Sequence, residues 1–279
     1  MERIEALRRF YARLITGRVG IPEDSELTTA FATTPRERFV SGPPWKIAIR
    51  NGYMESPSDD PAYLYQDAVV CLDTEGLRNN GQPSLHVVCL AAMAPKMGER
   101  VVHVGAGTGY YTTILAKLVG ETGKIDAYEI DPAIAQRAIA NLAELPQVNL
   151  HACSGTVGPL PPCDLVYVNA GATAPLAVWL DALQVGGRMV LPMTTESSGI
   201  MLLVTRTEEQ RYSARILCRV GFIPCVGARD AEEEERLAAA LQRGYDDQVK
   251  ALIRDDQPGE SCWLAGSGWW LSTRTADSF

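Results

Sequence analysis

Two stretches decide the fold: Arg100-Val101-Val102-His103-Val104-Gly105-Ala106-Gly107-Thr108-Gly109-Tyr110-Tyr111, and Lys124-Ile125-Asp126-Ala127-Tyr128-Glu129-Ile130-Asp131 downstream. Val101 to Val104 form a short β-branched run, the pattern of a strand buried on both faces. Gly105, Gly107 and Gly109 follow at once, where a backbone without Cβ atoms can turn sharply and approach a ligand. Ile114, Leu115, Leu118 and Val119 then recur at helical spacing. A second strand, Ile125 to Tyr128, ends on Glu129. The unit is strand, glycine loop, helix and strand, and an acid at the second strand's end can accept both hydroxyls of a ribose.

The glycine spacing narrows the cofactor. Dinucleotide sites use G-x-G-x-x-G, with a pyrophosphate on the helix N-terminus. Here the third glycine comes one residue early, G-x-G-x-G, the form seen in S-adenosylmethionine-dependent methyltransferases. NAD is the alternative that the spacing disfavours.

Working outward, residues 1 to about 40 read as helices, with Leu7, Phe10, Tyr11 and Leu14 on one apolar stripe. Thr34-Pro35-Arg36-Glu37 has the form of a capping box. Pro43, Pro44, Pro57 and Pro61 divide the next segment into turns and loop, and Val69 to Leu72 suggests a short strand. Asn79-Asn80-Gly81-Gln82-Pro83 is a turn signal ahead of an apolar helix from Ser84 to Met93. After Glu129, Asp131-Pro132 opens a helix expected to bury Ile134, Ala138, Ile139 and Leu142. Val148 to Ala152 and Leu165 to Val168 read as strands, the latter ending on Asn169-Ala170-Gly171. Ala174 to Leu183 reads as a helix stopped by Gly186-Gly187. Met189 to Leu191 is a fifth strand closed by Pro192. Ile200 to Thr205 and Tyr212 to Val220 suggest a final antiparallel pair. This alternation predicts an α/β fold, a doubly wound, mainly parallel sheet with ligands at the strands' carboxyl ends.

Near Asp230 the character changes. Glu232 to Glu235 precede Leu237, Leu241, Tyr245 and Val249, a long amphipathic helix whose acidic first turn suits the helix dipole. Cys262-Trp263-Leu264 and Trp269-Trp270-Leu271 flank a Gly-Ser-Gly turn and suggest a hairpin. The adjacent tryptophans would face opposite ways, one into the core and one toward a partner or pocket. The expected organisation is an N-terminal helical region over 1–78, a cofactor-binding core over 79–228 and a C-terminal extension over 229–279.

The bulk numbers exclude several classes. The 279-residue chain carries a formal net charge of −8, which argues against nucleic acid as the main partner. No apolar run approaches the roughly 20 residues of a membrane span. The charged, amphipathic N-terminus lacks the apolar core of a signal peptide. Seven scattered cysteines without C-x-x-C suit a reducing compartment, so a cytoplasmic protein is expected. With three histidines, His86, His103 and His151, no His-rich metal site is expected.

Several ordered motifs together resemble the protein-L-isoaspartate O-methyltransferases. Ala30 to Val40, with Pro35-Arg36-Glu37-Arg38 leading into Phe39-Val40, is similar to the family's N-terminal signature. Tyr65-Gln66-Asp67 resembles the acid-containing segment before the active-site loop. Gly81-Gln82-Pro83 matches the family's Ser-Gln-Pro except at its first residue. Gly105 to Tyr110, Tyr128 to Asp131, Gly186 to Pro192 and Phe222-Ile223-Pro224 match later segments. The resemblance spans residues 27–228, and the tail after Asp230 has no counterpart in it. It implies a carboxylate O-methyltransferase that uses S-adenosylmethionine and acts on a peptide or protein. It further implies cofactor contacts from Gly105, Ala106, Gly107, Thr108, Gly109, Tyr110, Glu129, Ile130, Ser154, Gly155 and Asn169. Asn80, Gly81 and Gln82 are implied on the acceptor side, and Asn169, at the fourth strand's carboxyl end, reads equally as a site residue at the cofactor's rim or as a turn former in Asn-Ala-Gly.

Three departures matter. The serine hydroxyl expected near the accepting carboxylate is lost at Gly81, with Asn80 or Ser84 as possible substitutes. The family's Gly-Asp-Gly, whose carboxylate meets the adenine amine, is Cys153-Ser154-Gly155 here. The acid usual two residues before the first glycine is His103, read as structural. A diverged substrate is therefore expected, with weak activity on ordinary isoaspartyl peptides. Gly81→Ser should raise that activity provided the backbone angles admit a side chain. The alternative is a methyltransferase-like protein that binds S-adenosylmethionine or a partner without catalysis.

Overall fold

The computed structural model describes residues 2–73, 78–244, 246–254 and 257–278. In chain order, α1 (Glu2–Gly17) and α2 (Glu26–Ala32) precede β1 (Lys46–Ile49) and β2 (Gly52–Glu55). Next come α3 (Pro83–Met93), β3 (Arg100–Val104), α4 (Tyr110–Val119), β4 (Lys124–Tyr128), α5 (Pro132–Leu142) and β5 (Val148–His151). β6 (Cys163–Val168), α6 (Ala177–Ala182), β7 (Leu183–Thr194), β8 (Gly199–Glu208) and β9 (Arg211–Arg219) follow. The tail holds α7 (Ala231–Arg243), β10 (Ala251–Arg254), β11 (Cys262–Gly266) and β12 (Trp269–Ser272). The fold is α/β with parallel core strands. The elements form two compact units, Met1–Glu99 with Ala106–Cys153, and Arg100–Gly105 with Ser154–Phe279.

In the first unit, α1 buries Tyr11, Ala12, Ile15 and Thr16. Phe10, expected on that stripe, is 64% exposed, because the buried face runs one residue further round the helix. No capping box forms at Thr34. Its hydroxyl donates back to the carbonyl of Ala30 at 2.7 Å, and Arg36–Arg38 is a single 3₁₀ turn. The segment expected to be only turns and loop contains the β1–β2 hairpin, whose eight residues lie between Pro44 and Pro57 and include no proline. The strand expected at Val69 to Leu72 reduces to bridges that hold this hairpin, with Ala48 N–H on Val69 and Cys71 N–H on Lys46, each at 2.9 Å. β4 and β5 pair in parallel. Asp131 caps α5 by accepting from the amides of Ala133 and Ile134 at 3.0 and 3.1 Å, with Pro132 as first helical residue. Ala135, not the 43%-exposed Ile139, completes its buried face.

In the second unit, β3, β6 and β7 are parallel neighbours, and β7 to β10 continue antiparallel, ending on β12 and β11. β7 is far longer than the expected Met189 to Leu191. Gly186 and Gly187 do not stop a helix. They lie in a register shift within the strand, where a Cβ at Gly187 would meet the carbonyl oxygen of Gln184 at 2.8 Å. Pro192 does not close the strand either, since its carbonyl accepts from the Ala172 amide at 2.9 Å while it stays in register with Met201. The helix expected from Ala174 is shorter, Ala177–Ala182.

Asp230 caps α7, accepting from the Glu233 amide at 3.0 Å ahead of the acidic first turn. The helix ends before Gly244, whose φ of +75° breaks it, so Val249 lies beyond it and Tyr245 is outside the described residues. The expected hairpin is β11–β12, and both tryptophans are buried, Trp269 at 6% and Trp270 at 1% exposure. Trp269 borders Gly266, as Glu233 of α7 does, so a helix of the same unit lies against the face expected to meet a partner or pocket. Among the described residues no helix is long and apolar enough to cross a membrane.

Candidate functional site

In the first unit the glycine loop is fixed by its own amides. The Ala106 N–H donates to the Tyr128 carbonyl at 3.0 Å, and the Gly107 N–H donates to Glu129 Oε2 at 2.8 Å. Glu129 Oε1 accepts from the Asp131 amide at 3.0 Å. The carboxylate is 8% exposed and keeps an unused lone pair on each oxygen, the arrangement that two vicinal hydroxyls require. Ile130 beside it is 44% exposed, an apolar surface at the strand end. At Gly109, φ is +95° and a Cβ would sit 2.9 Å from Leu142 Cγ, so the helix start demands glycine.

Two loop side chains are engaged within the protein. The Thr108 hydroxyl donates to the Phe39 carbonyl. The Tyr110 ring packs edge-on against Phe31 and Phe39, centroids 6.2 and 5.5 Å away. Any cofactor contact from these two positions falls to the backbone.

The loop before α3 lies in the same unit. Asp67 accepts from the Ser84 amide at 2.9 Å, the Ser84 hydroxyl at 2.7 Å, Gln82 Nε2 at 3.2 Å and Arg18 at 2.7 Å. Burial acts to raise its pKa, but these four hydrogen bonds prevail and hold the carboxyl below its ordinary value. Asp67 thus serves as a distant cap for one orphan amide of α3, that of Ser84. The Ser84 hydroxyl and Gln82 Nε2 are both engaged with it, and Gln82 Nε2 also donates to the Ser84 hydroxyl at 3.3 Å. Asn80 Oδ1 accepts from the Val70 amide at 2.8 Å, which fixes the orientation of the side chain. Its Nδ2 is buried and has no hydrogen-bond partner among the described residues.

Gly81 has φ +66°, and a Cβ there would collide with His86 Nε2. The condition attached to Gly81→Ser is therefore not met: the backbone sits in the left-handed region and an imidazole fills the space. His86 is 3% exposed and stacks on Tyr111, centroids 3.6 Å apart. The sequence offered one signal for this pair, a side chain lost at position 81 and a histidine in the first turns of the next helix.

In the second unit, the Asn169 amide donates to the Val104 carbonyl at 2.8 Å, and its side-chain Nδ2 donates to His103 Nε2 at 2.8 Å. Burial lowers the His103 pKa to about 3, so the ring is neutral at pH 7 and accepts at Nε2. The ring is fully buried and bonded to Asn169. Asn169 Oδ1 is buried without a partner among the described residues. Gly105 packs on the Asn169 backbone, where a Cβ would come within 3.3 Å. The Ser154 hydroxyl is engaged with Thr156 at 2.8 Å, and the Gly155 carbonyl accepts from Trp179 Nε1 at 2.8 Å.

Comparison with known proteins places these features in context. The family model "Protein-L-isoaspartate(D-aspartate) O-methyltransferase" matches residues 14–230. The chain is 31% identical over 209 residues to protein-L-isoaspartate O-methyltransferase 2 of Marinobacter nauticus, covering 73% of this chain and 86% of that protein. A solved protein-L-isoaspartate O-methyltransferase superposes with a TM-score of 0.67 at 22% identity, over 84% of this chain and 69% of that one. A candidate enzyme of the same kind from Plasmodium falciparum, in complex with S-adenosyl-L-homocysteine, gives a TM-score of 0.63 at 15% identity, over 79% of this chain and 98% of that one. These structures share the fold. The family match ends where α7 begins.

Proposed function

The chain belongs to the protein-L-isoaspartate(D-aspartate) O-methyltransferase family, and we propose that it methylates a carboxylate of an isoaspartyl peptide or protein. S-adenosylmethionine is the methyl donor that the family implies. The observation that carries the reading is the Glu129 carboxylate, bonded to the amides of Gly107 and Asp131 with acceptor capacity to spare. That geometry fits a ribose, and Gly107, where an added Cβ would meet only Leu72 Cδ1 at 3.4 Å, leaves the loop backbone open to close approach of a ligand. Glu129 would hold the ribose, the Gly107 backbone would lie against the cofactor, and Ile130 would offer an apolar contact. When bound, the cofactor supplies a methyl group on a sulfonium, already a good electrophile.

The acceptor carboxylate is ionised at pH 7 and needs no general base. The protein's own task is to position and desolvate the acceptor, which can supply most of the rate. That agrees with His103, the buried imidazole near the loop, being held neutral. The seven cysteines, scattered without C-x-x-C, support a reducing, cytoplasmic setting. The acidic net charge supports a peptide or protein rather than nucleic acid as partner. The test is transfer of labelled methyl from S-adenosylmethionine to an isoaspartyl peptide and a panel of other carboxylates, with calorimetry of S-adenosylhomocysteine and NAD as the cofactor control.

A further inference from the structure

We propose that Arg137 and Asn141, one turn apart on α5, are positioning residues for the cofactor: they hold the two chain segments that flank the open backbone of Gly107 and so set cofactor affinity. The inference deepens the reading above, since it rests on the Gly107 backbone lying against the ligand. Gly107 is half-buried, and the one side chain outside its own stretch that borders it is Leu72, whose Cδ1 would lie 3.4 Å from an added Cβ. Arg137 Nη1 donates to the Leu72 carbonyl and, at 3.0 Å, to the Ser41 hydroxyl. That hydroxyl in turn donates to the same Leu72 carbonyl at 2.6 Å. On the other side, Asn141 Nδ2 donates at 2.9 Å to the carbonyl of Thr108, the residue that follows Gly107.

Residues 137 and 141 share one face of the helix. Both spend their donors on backbone carbonyls of other segments, although asparagine is a poor helix former and gains nothing for α5 itself. Glu129 meanwhile takes the Gly107 amide at 2.8 Å. The backbone on which the ligand would rest is thus held from the end of β4 and from α5 together. Loss of either α5 donor would let Leu72 or the Thr108 peptide shift against Gly107 without touching a ligand directly.

The experiment is titration calorimetry with S-adenosylhomocysteine on wild type, Arg137→Met, Arg137→Lys and Asn141→Ala. Thermal melts accompany each protein, and binding is measured well below every melting transition, so that a loss of stability alone does not move the affinity. Arg137→Met and Asn141→Ala should each raise Kd by about threefold to thirtyfold, the scale for a residue that acts on a site without contacting the ligand. Arg137→Lys, which keeps a donor for the Leu72 carbonyl, should recover part of the loss. If Arg137→Met does not fold, Asn141→Ala carries the comparison. Folded variants with wild-type affinity would overturn the proposal and leave both residues as ties that only stabilise the fold. Wild-type protein that does not bind S-adenosylhomocysteine would instead overturn the cofactor-site reading, and this inference with it.

Discussion

Glu129 Oε2 accepts the Gly107 amide at 2.8 Å, so the acid that ends β4 and the glycine loop after β3 are joined by a direct hydrogen bond. The carboxylate is thereby oriented before any ligand arrives. Glu129→Ala should weaken S-adenosylhomocysteine binding by roughly 1.5–3 kcal/mol, the scale for hydrogen bonds to charged groups. Titration calorimetry checks it, and unchanged affinity in a folded variant would remove Glu129 from the site.

The loop glycines should separate by role. At Gly109 a Cβ meets Leu142 Cγ at 2.9 Å with φ at +95°. Gly109→Ala should cost about 1–2 kcal/mol for the left-handed conformation and about 1–3 kcal/mol for crowding. Gly107, at φ +56°, carries the same left-handed cost, but a Cβ there meets only Leu72 at an ordinary 3.4 Å. Gly107→Ala should therefore lose less stability than Gly109→Ala while losing cofactor affinity. Urea unfolding and calorimetry on both variants decide, and equal stability losses would contradict the assignment.

His103 sets a pH dependence with a definite sign. Burial lowers its folded-state pKa from 6.5 to about 3. Between those values the unfolded chain binds the proton and the folded one does not. Its contribution is thus intact above pH 6.5 and is lost as pH falls toward 3, by up to about 1.4 kcal/mol per unit. His103→Gln, which can still accept a hydrogen bond, should show a shallower loss of unfolding free energy between pH 7 and pH 5. Parallel curves would show that His103 is not the group responsible.

Asn169 combines a bond to His103 Nε2 with a buried Oδ1 that no described residue satisfies. Asn169→Ala keeps the backbone bond to Val104. It should lower stability by about 1 kcal/mol and lower methyl transfer by about tenfold. A loss of turnover no larger than the folded fraction explains would return the residue to a purely structural role.

Much of the core was readable because its signals are local. Val101 to Val104, the glycine spacing and Glu129 declare strand, loop and ligand-side acid within a continuous stretch. Asp131-Pro132 and Asp230 declare their helix starts, and the caps form as the residue types imply. What escaped depends on distant partners. β7 runs through Gly186, Gly187 and Pro192 because β6 and β8 supply its register on either side. The β1–β2 hairpin is held by the segment around Val70. Thr34 turns back to Ala30, which cancels a capping box that looked complete in sequence. The acceptor loop is the clearest case. Gly81 read as a missing hydroxyl, whereas its meaning comes from His86 folding over it, and Ser84 is taken up by Asp67 from 17 residues away.

The most direct measurement is methyl transfer itself. Purified protein is incubated with labelled S-adenosylmethionine and an isoaspartyl peptide, beside the same peptide with ordinary aspartate. Label should enter the isoaspartyl peptide as a base-labile methyl ester, with little in the aspartyl control. Tight S-adenosylhomocysteine binding without labelled ester on either peptide or on other carboxylates would contradict the account and identify a protein that binds the cofactor without catalysis.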